Sequence, residues 1–162
     1  MDLISTFESI RDIPYRIPLK RGEEDDCCMG KHERLLNLLK KDGYGVRYRV
    51  CAFLWSDLNL PPELKTVPHD EDGTHAYLEI KLGDEWKILD ASWDIGLKGI
   101  FHINKWDGKS DTEIAVKPTK IFTPQKSLDI IKNQNEEEIR KELKINGEFY
   151  KGFNEWLDKH RK

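Results

Sequence analysis

Leu3, Phe7 and Ile10 recur at i, i+4 and i+7, so residues 2–11 are predicted to form a short amphipathic helix that Pro14 stops. Ile13 to Pro18 is framed by prolines and reads as extended, a short strand or edge segment. A second helical stripe follows: at about 100° per residue, His32, Leu35, Leu36 and Leu39 all fall within about 80° of Cys28. That helix should end at Asp42-Gly43, with Lys40 and Lys41 in its last turn and Gly43 suited to the left-handed position. The pattern then changes. Val46 to Trp55 is β-branched and aromatic, alternating at first and then apolar on both faces, as expected of a strand that runs into the middle of a sheet. Ser56 to Gly73, with Pro61, Pro62, Pro68 and acids at Asp70, Glu71 and Asp72, reads as a long loop and a candidate lid or substrate rim.

Thr74 to Leu82 and Glu85 to Ala91 are predicted as two strands about a Gly83-Asp84 turn. Between Ile95 and Phe122 the pattern is weakest, giving a polar linker over 106–112 and a short strand at Glu113–Val116. Helical character returns at Ser127–Lys132, Glu136–Leu143 and Glu148–Lys159, where Phe149, Phe153, Trp156 and Leu157 form a core stripe.

The 162 residues suit a single domain over 1–162, with a core at 26–93 and a C-terminal helical extension at about 127–160. Lys and Arg number 27 against 30 Asp and Glu, so no basic field draws in nucleic acid. The chain has no run of 18 apolar residues, and its N-terminus lacks a basic-then-apolar leader pattern. The expectation is therefore a cytoplasmic protein without a membrane partner. Three cysteines, two of them adjacent and none in Cys-x-x-Cys spacing, point to reduced thiols rather than a disulfide framework.

Cys28 lies at the centre of its helix's apolar face and at the helix start, where backbone N–H groups lower a thiol pKa; Cys27 points to the flank. Asp25 and Asp26 suit the N-cap and first turn. The nearby acids Glu23 to Asp26 oppose a thiolate, so a histidine cation and the helix end must outweigh them. Cys51 is expected to be a buried small hydrophobe. A two-residue hairpin loop sets Tyr77 opposite Asp90 and His75 opposite Ser92, leaving His75 and Asp90 on one face, one diagonal step of about 7–8 Å apart. Asp94 is the rival carboxylate. Thiol, imidazole and carboxylate in this order suit nucleophilic cysteine catalysis: the thiolate attacks, the imidazole moves the proton, and the acid fixes the tautomer.

Cys28-x-x-Lys31, the leucines at 35, 36, 38 and 39, and Gly43-Tyr44-Gly45-Val46-Arg47 resemble the helix-and-strand signature of the transglutaminase-like superfamily. His75-Ala76-Tyr77 and Trp86-Lys87-Ile88-Leu89-Asp90 are similar to the same family's His-Ala-Trp and Trp-x-x-x-Asp strands, with Tyr77 in place of the usual Trp. The resemblance spans roughly Asp26 to Trp93. It implies a papain-like α+β fold with a nucleophile helix packed on an antiparallel sheet, a catalytic Cys28, His75 and Asp90, and no cofactor or metal. It further implies a peptide or protein amide substrate carried as a thioester on Cys28, hydrolysis being favoured over crosslinking transfer in so small a chain. The expected oxyanion donor is the Cys28 backbone N–H, with Tyr15 a second candidate. Two other readings compete: an inactive interaction module that keeps the fold, and a metal site built from Cys27, Cys28 and His32 or His69, whose spacing is poor for tetrahedral zinc.

Overall fold

The computed structural model describes residues 2–162 and is an α+β structure. Helix α1 (Leu3–Arg11) is capped by Asp2, whose carboxylate accepts from the Ser5 N–H. Helix α2 (Cys28–Lys41) ends where expected, with Gly43 at φ +90° accommodating the left-handed turn. The Pro14–Pro18 segment differs from expectation: only Arg16 bridges another residue, Asp26, so the two prolines leave an extended stretch without a strand.

Strand β1 (Val46–Leu54) is followed by a 3-10 turn at Trp55–Asp57 and a one-turn helix, α3 (Pro62–Lys65), so the predicted long loop carries its own short structure. Strands β2 (Asp72–Leu82) and β3 (Glu85–Leu89) form the predicted hairpin. Leu82 pairs with Glu85 and Leu78 with Leu89, which is the two-residue loop, and Gly83 sits at φ +62°. The expected strand at Glu113–Val116 is absent. Its place in the sheet is taken by β4 (Lys120–Ile121), which pairs with Ala52 and Cys51 of β1. The four strands run antiparallel in the order β3-β2-β1-β4.

Both faces of the sheet are covered, so β2 is buried on both sides from His75 to Ile80. On one face Leu78, Ile80 and Leu89 pack with Leu35 and Leu39 of α2, Phe7 of α1 and Trp106. On the other, Cys51, Phe53 and Tyr77 pack with Tyr15, Trp55, Trp93 and the aromatic stripe of the last helix. After α4 (Pro124–Lys132), the two helical segments expected at 136–143 and 148–159 are one helix, α5 (Glu136–Arg161), which runs straight through Gly147 and Gly152. Burial of Phe149, Phe153 and Leu157 offsets the roughly 1 kcal/mol cost of each interior glycine. The C-terminal helix is thus a wall of the core as well as an extension. Among the described residues no helix is long and apolar enough to cross a membrane.

Candidate active site

Cys28 opens α2, but the cap differs from the expected one. Cys27 is the N-cap residue and makes no side-chain cap bond, while Asp25 Oδ1 accepts from the Cys27 N–H at 3.0 Å and stands 2.8 Å from Cys27 Sγ. Asp26 is turned away to pair with Arg34 at 2.7 Å. The chain crosses back over the first turn so closely that a Cβ on Gly30 would come within 1.8 Å of the Asp25 carbonyl oxygen, so only glycine fits there.

His75 projects from β2. Its Nε2 lies 2.7 Å from Asp90 Oδ2, as the hairpin parity predicted, which leaves Nδ1 available to Cys28 on the same cavity wall. Of the two adjacent thiols, Cys28 is the one whose pKa His75 lowers. Asp94, the rival acid, is committed elsewhere: it accepts from Arg161 at 2.7 and 3.0 Å and from the Tyr15 N–H at 2.9 Å. Cys51, paired with His75 across β1 and β2, is wholly buried, and burial pushes its thiol up to about 12.

Electrostatics separates the two adjacent thiols. The adjacent Cys27 thiol and the neighbouring His75 hold the Cys28 thiol well below its ordinary value despite burial. Cys27 moves the other way, raised by the adjacent Cys28, by burial and by Asp25. Burial disfavours a charged His75, but Asp90 and Cys28 outweigh it and push the imidazole up to about 10. Against the same burial, His75 holds Asp90 well below the usual carboxylate range. The three shifts run in one sense, toward an ionised Cys28 thiol, a protonated His75 and an ionised Asp90.

Several residues hold this arrangement in roles that the sequence pattern did not assign to them. His32 is fully buried: its Nε2 accepts from the Ala91 N–H at 2.9 Å, so its proton sits on Nδ1 and is donated to the Cys28 carbonyl at 2.7 Å. The ring ties the start of α2 to the residue after Asp90. Lys31, also buried, donates to the carbonyls of Arg11, Ile13 and Ser92 at 2.7–2.8 Å. Asn104 donates to the Asp90 carbonyl and exchanges two bonds with Glu113, and Thr112 Oγ1 accepts from the Asp90 N–H at 2.8 Å. The 104–115 stretch, expected to be a linker and a strand, is instead the clasp around Asp90. One feature was legible: Ser92, two residues after Asp90, returns both its N–H and its hydroxyl to Asp90 Oδ1, a local aspartate turn.

No protein-family model, curated protein or solved structure matches the chain. Among the described residues no three His, Cys, Asp or Glu side chains are grouped to hold a metal ion. His32 has both ring nitrogens engaged by backbone, and His69 turns Nδ1 to the Val67 carbonyl and stacks on Phe149, so neither is a free ligand beside the thiols.

Beside Cys28 and His75 opens a cavity of about 180 Å³, walled by residues of both sheet and helices, including Tyr15, Trp55, Val116 and Tyr150. Tyr15 is buried and lines the cavity together with Cys28. A thiol of lowered pKa at a helix start, a proton carrier beside it and a walled cavity in front make an arrangement chemically able to attack a carbonyl carbon and protonate its leaving group.

Proposed function

We propose that this chain is a cysteine-dependent amide hydrolase of transglutaminase-like type, with a papain-like arrangement of nucleophile helix and sheet. The observation that carries the reading is the pairing of His75 Nε2 with Asp90 at 2.7 Å beside a cavity that His75 and Cys28 both line. Asp90 keeps a proton on Nε2, which leaves Nδ1 to serve the sulfur and the substrate.

In the first half-reaction Cys28 Sγ attacks the amide carbonyl carbon. The backbone N–H of Cys28 stabilises the developing oxyanion, with the Tyr15 hydroxyl beside it as second donor. As the tetrahedral intermediate collapses, His75 gives its Nδ1 proton to the departing amine and the C–N bond breaks, leaving a thioester on Cys28. Neutral His75 then removes a proton from water, whose oxygen attacks the thioester. Expulsion of the thiolate releases the carboxylic acid and restores the ion pair.

Alkylation with iodoacetamide, located by peptide mass spectrometry, tests this. Cys28 should react near pH 7 at least tenfold faster than Cys51, and His75→Ala should slow it by removing the cation that holds the thiolate. Equal rates at all three thiols would rule the reading out.

A further inference from the structure

The walls of the cavity say what kind of amide would fit. At about 180 Å³ it is smaller than the roughly 300 Å³ of a site for a drug-sized molecule, and suits one large side chain next to the reacting carbonyl. Phe53, Trp55, Val116, Ile139 and Leu143 line it, so that side chain is apolar.

Apart from the reacting Cys28 and His75, whose opposite charges offset each other, the charges are one-sided: Asp25 and Glu142 are the carboxylates on the wall, and no lysine or arginine lines it. Glu142 is held in place: the hydroxyl of buried Tyr150, two turns further along α5, donates to Oε1 at 2.6 Å. Asp25 is held likewise by Cys27 on Oδ1. Oε2 of Glu142 and Oδ2 of Asp25 take no hydrogen bond from any described residue. Each is an acceptor with spare capacity at the rim of the apolar cavity, Asp25 half-buried and Glu142 exposed to solvent.

We infer that the substrate of this site is an amide that pairs a bulky apolar side chain with a positive charge, the first filling the Phe53–Trp55–Val116 wall and the second answering Glu142 and Asp25. This rests on the hydrolase reading of Cys28. An acidic substrate would meet two carboxylates and the thiolate, and like charges at such range disfavour it.

Four methanethiosulfonates that differ only in the group carried to the thiol test this on the folded chain: trimethylammonioethyl, sulfonatoethyl, benzyl and methyl. In each case the thiolate attacks the sulfenyl sulfur, forms a disulfide and displaces methanesulfinate. Rates at Cys28, compared with those of the urea-unfolded chain, should show the cationic-to-anionic ratio raised at least tenfold and the benzyl-to-methyl ratio raised as well. Glu142→Gln should lower the first ratio at least threefold and leave the second, and added salt should lower the first ratio too. A cationic-to-anionic ratio equal in folded and unfolded chains, or unmoved by Glu142→Gln, would overturn the charge assignment while leaving a reactive Cys28 intact. Cys28 reacting no faster than Cys51 with any of the four would instead overturn the hydrolase reading, and this inference with it.

Discussion

The Ala115 N–H donates to Asp90 Oδ2 at 2.8 Å, the same oxygen that His75 Nε2 approaches at 2.7 Å. Oδ1 receives the N–H and hydroxyl of Ser92 at 3.0 and 2.6 Å. One buried carboxylate thus faces four donors. The amide of Asp90→Asn accepts on one atom only, so its NH₂ must confront either His75 and Ala115 or Ser92. The variant should lose about 1–3 kcal/mol of stability by urea denaturation, and its Cys28 alkylation at pH 7 should fall at least tenfold. Undiminished alkylation in a folded Asp90→Asn protein would remove Asp90 from the reacting set.

The Cys28–His75 pair should leave a mark on stability against pH. With His75 raised to about 10 from an ordinary 6.5, its contribution is complete below 6.5 and is lost as pH rises through about 10. The depressed Cys28 thiol contributes in the opposite sense: its stabilisation is complete above its ordinary value of 9.0 and is lost as pH falls through the folded value. Above 6.5 and below 9.0, wherever the folded Cys28 thiol is ionised, both states hold one proton on the pair and the two dependences cancel. Cys28→Ser removes one of them while Asp90 still raises His75. Relative to wild type, the variant's unfolding free energy should fall as pH climbs through that window, by at most about 1.4 kcal/mol per pH unit. Parallel urea-midpoint profiles for the two proteins would show that no such ion pair exists.

The adjacent Cys27 thiol lowers the Cys28 pKa, so the two possible replacements of Cys27 should part company. Cys27→Ser keeps a donor and should leave the pH profile of Cys28 alkylation nearly unchanged. Cys27→Ala removes the largest influence holding the Cys28 thiol down and should shift that profile to higher pH. Identical profiles would mean that the Cys27 thiol does not act on Cys28.

Asn104 is a positioning residue at one remove. Its Nδ2 spans the carbonyls of Asp90 and Glu113 at 2.9 Å each, and its Oδ1 takes the Glu113 N–H at 3.1 Å. Asn104→Ala strands these buried groups and should cost about 1–3 kcal/mol. Because the clasp also fixes the Asp90 backbone, Cys28 alkylation should slow at temperatures where the variant is fully folded. A loss of stability with unchanged alkylation would confine Asn104 to a structural part.

What the sequence by itself determined is local. The period of Leu35, Leu36 and Leu39 put Cys28 on the buried face of a helix start, and the Gly83-Asp84 turn fixed a register in which His75 and Asp90 share a face. Those features follow from backbone geometry over a few residues, which residue order dictates directly. The extent of α5 was less legible, because interior glycines at 147 and 152 mimic a break until Phe149, Phe153 and Leu157 are seen buried. Only the tertiary structure decided the rest. That Asp94 belongs to Arg161, 67 residues away, that Asn104, Thr112 and Ala115 clasp Asp90, and that His32 anchors the Cys28 carbonyl are pairings between distant segments. They exist because buried polar groups must find partners once the chain is packed, and which partners lie within reach is set by the packing and by no local pattern.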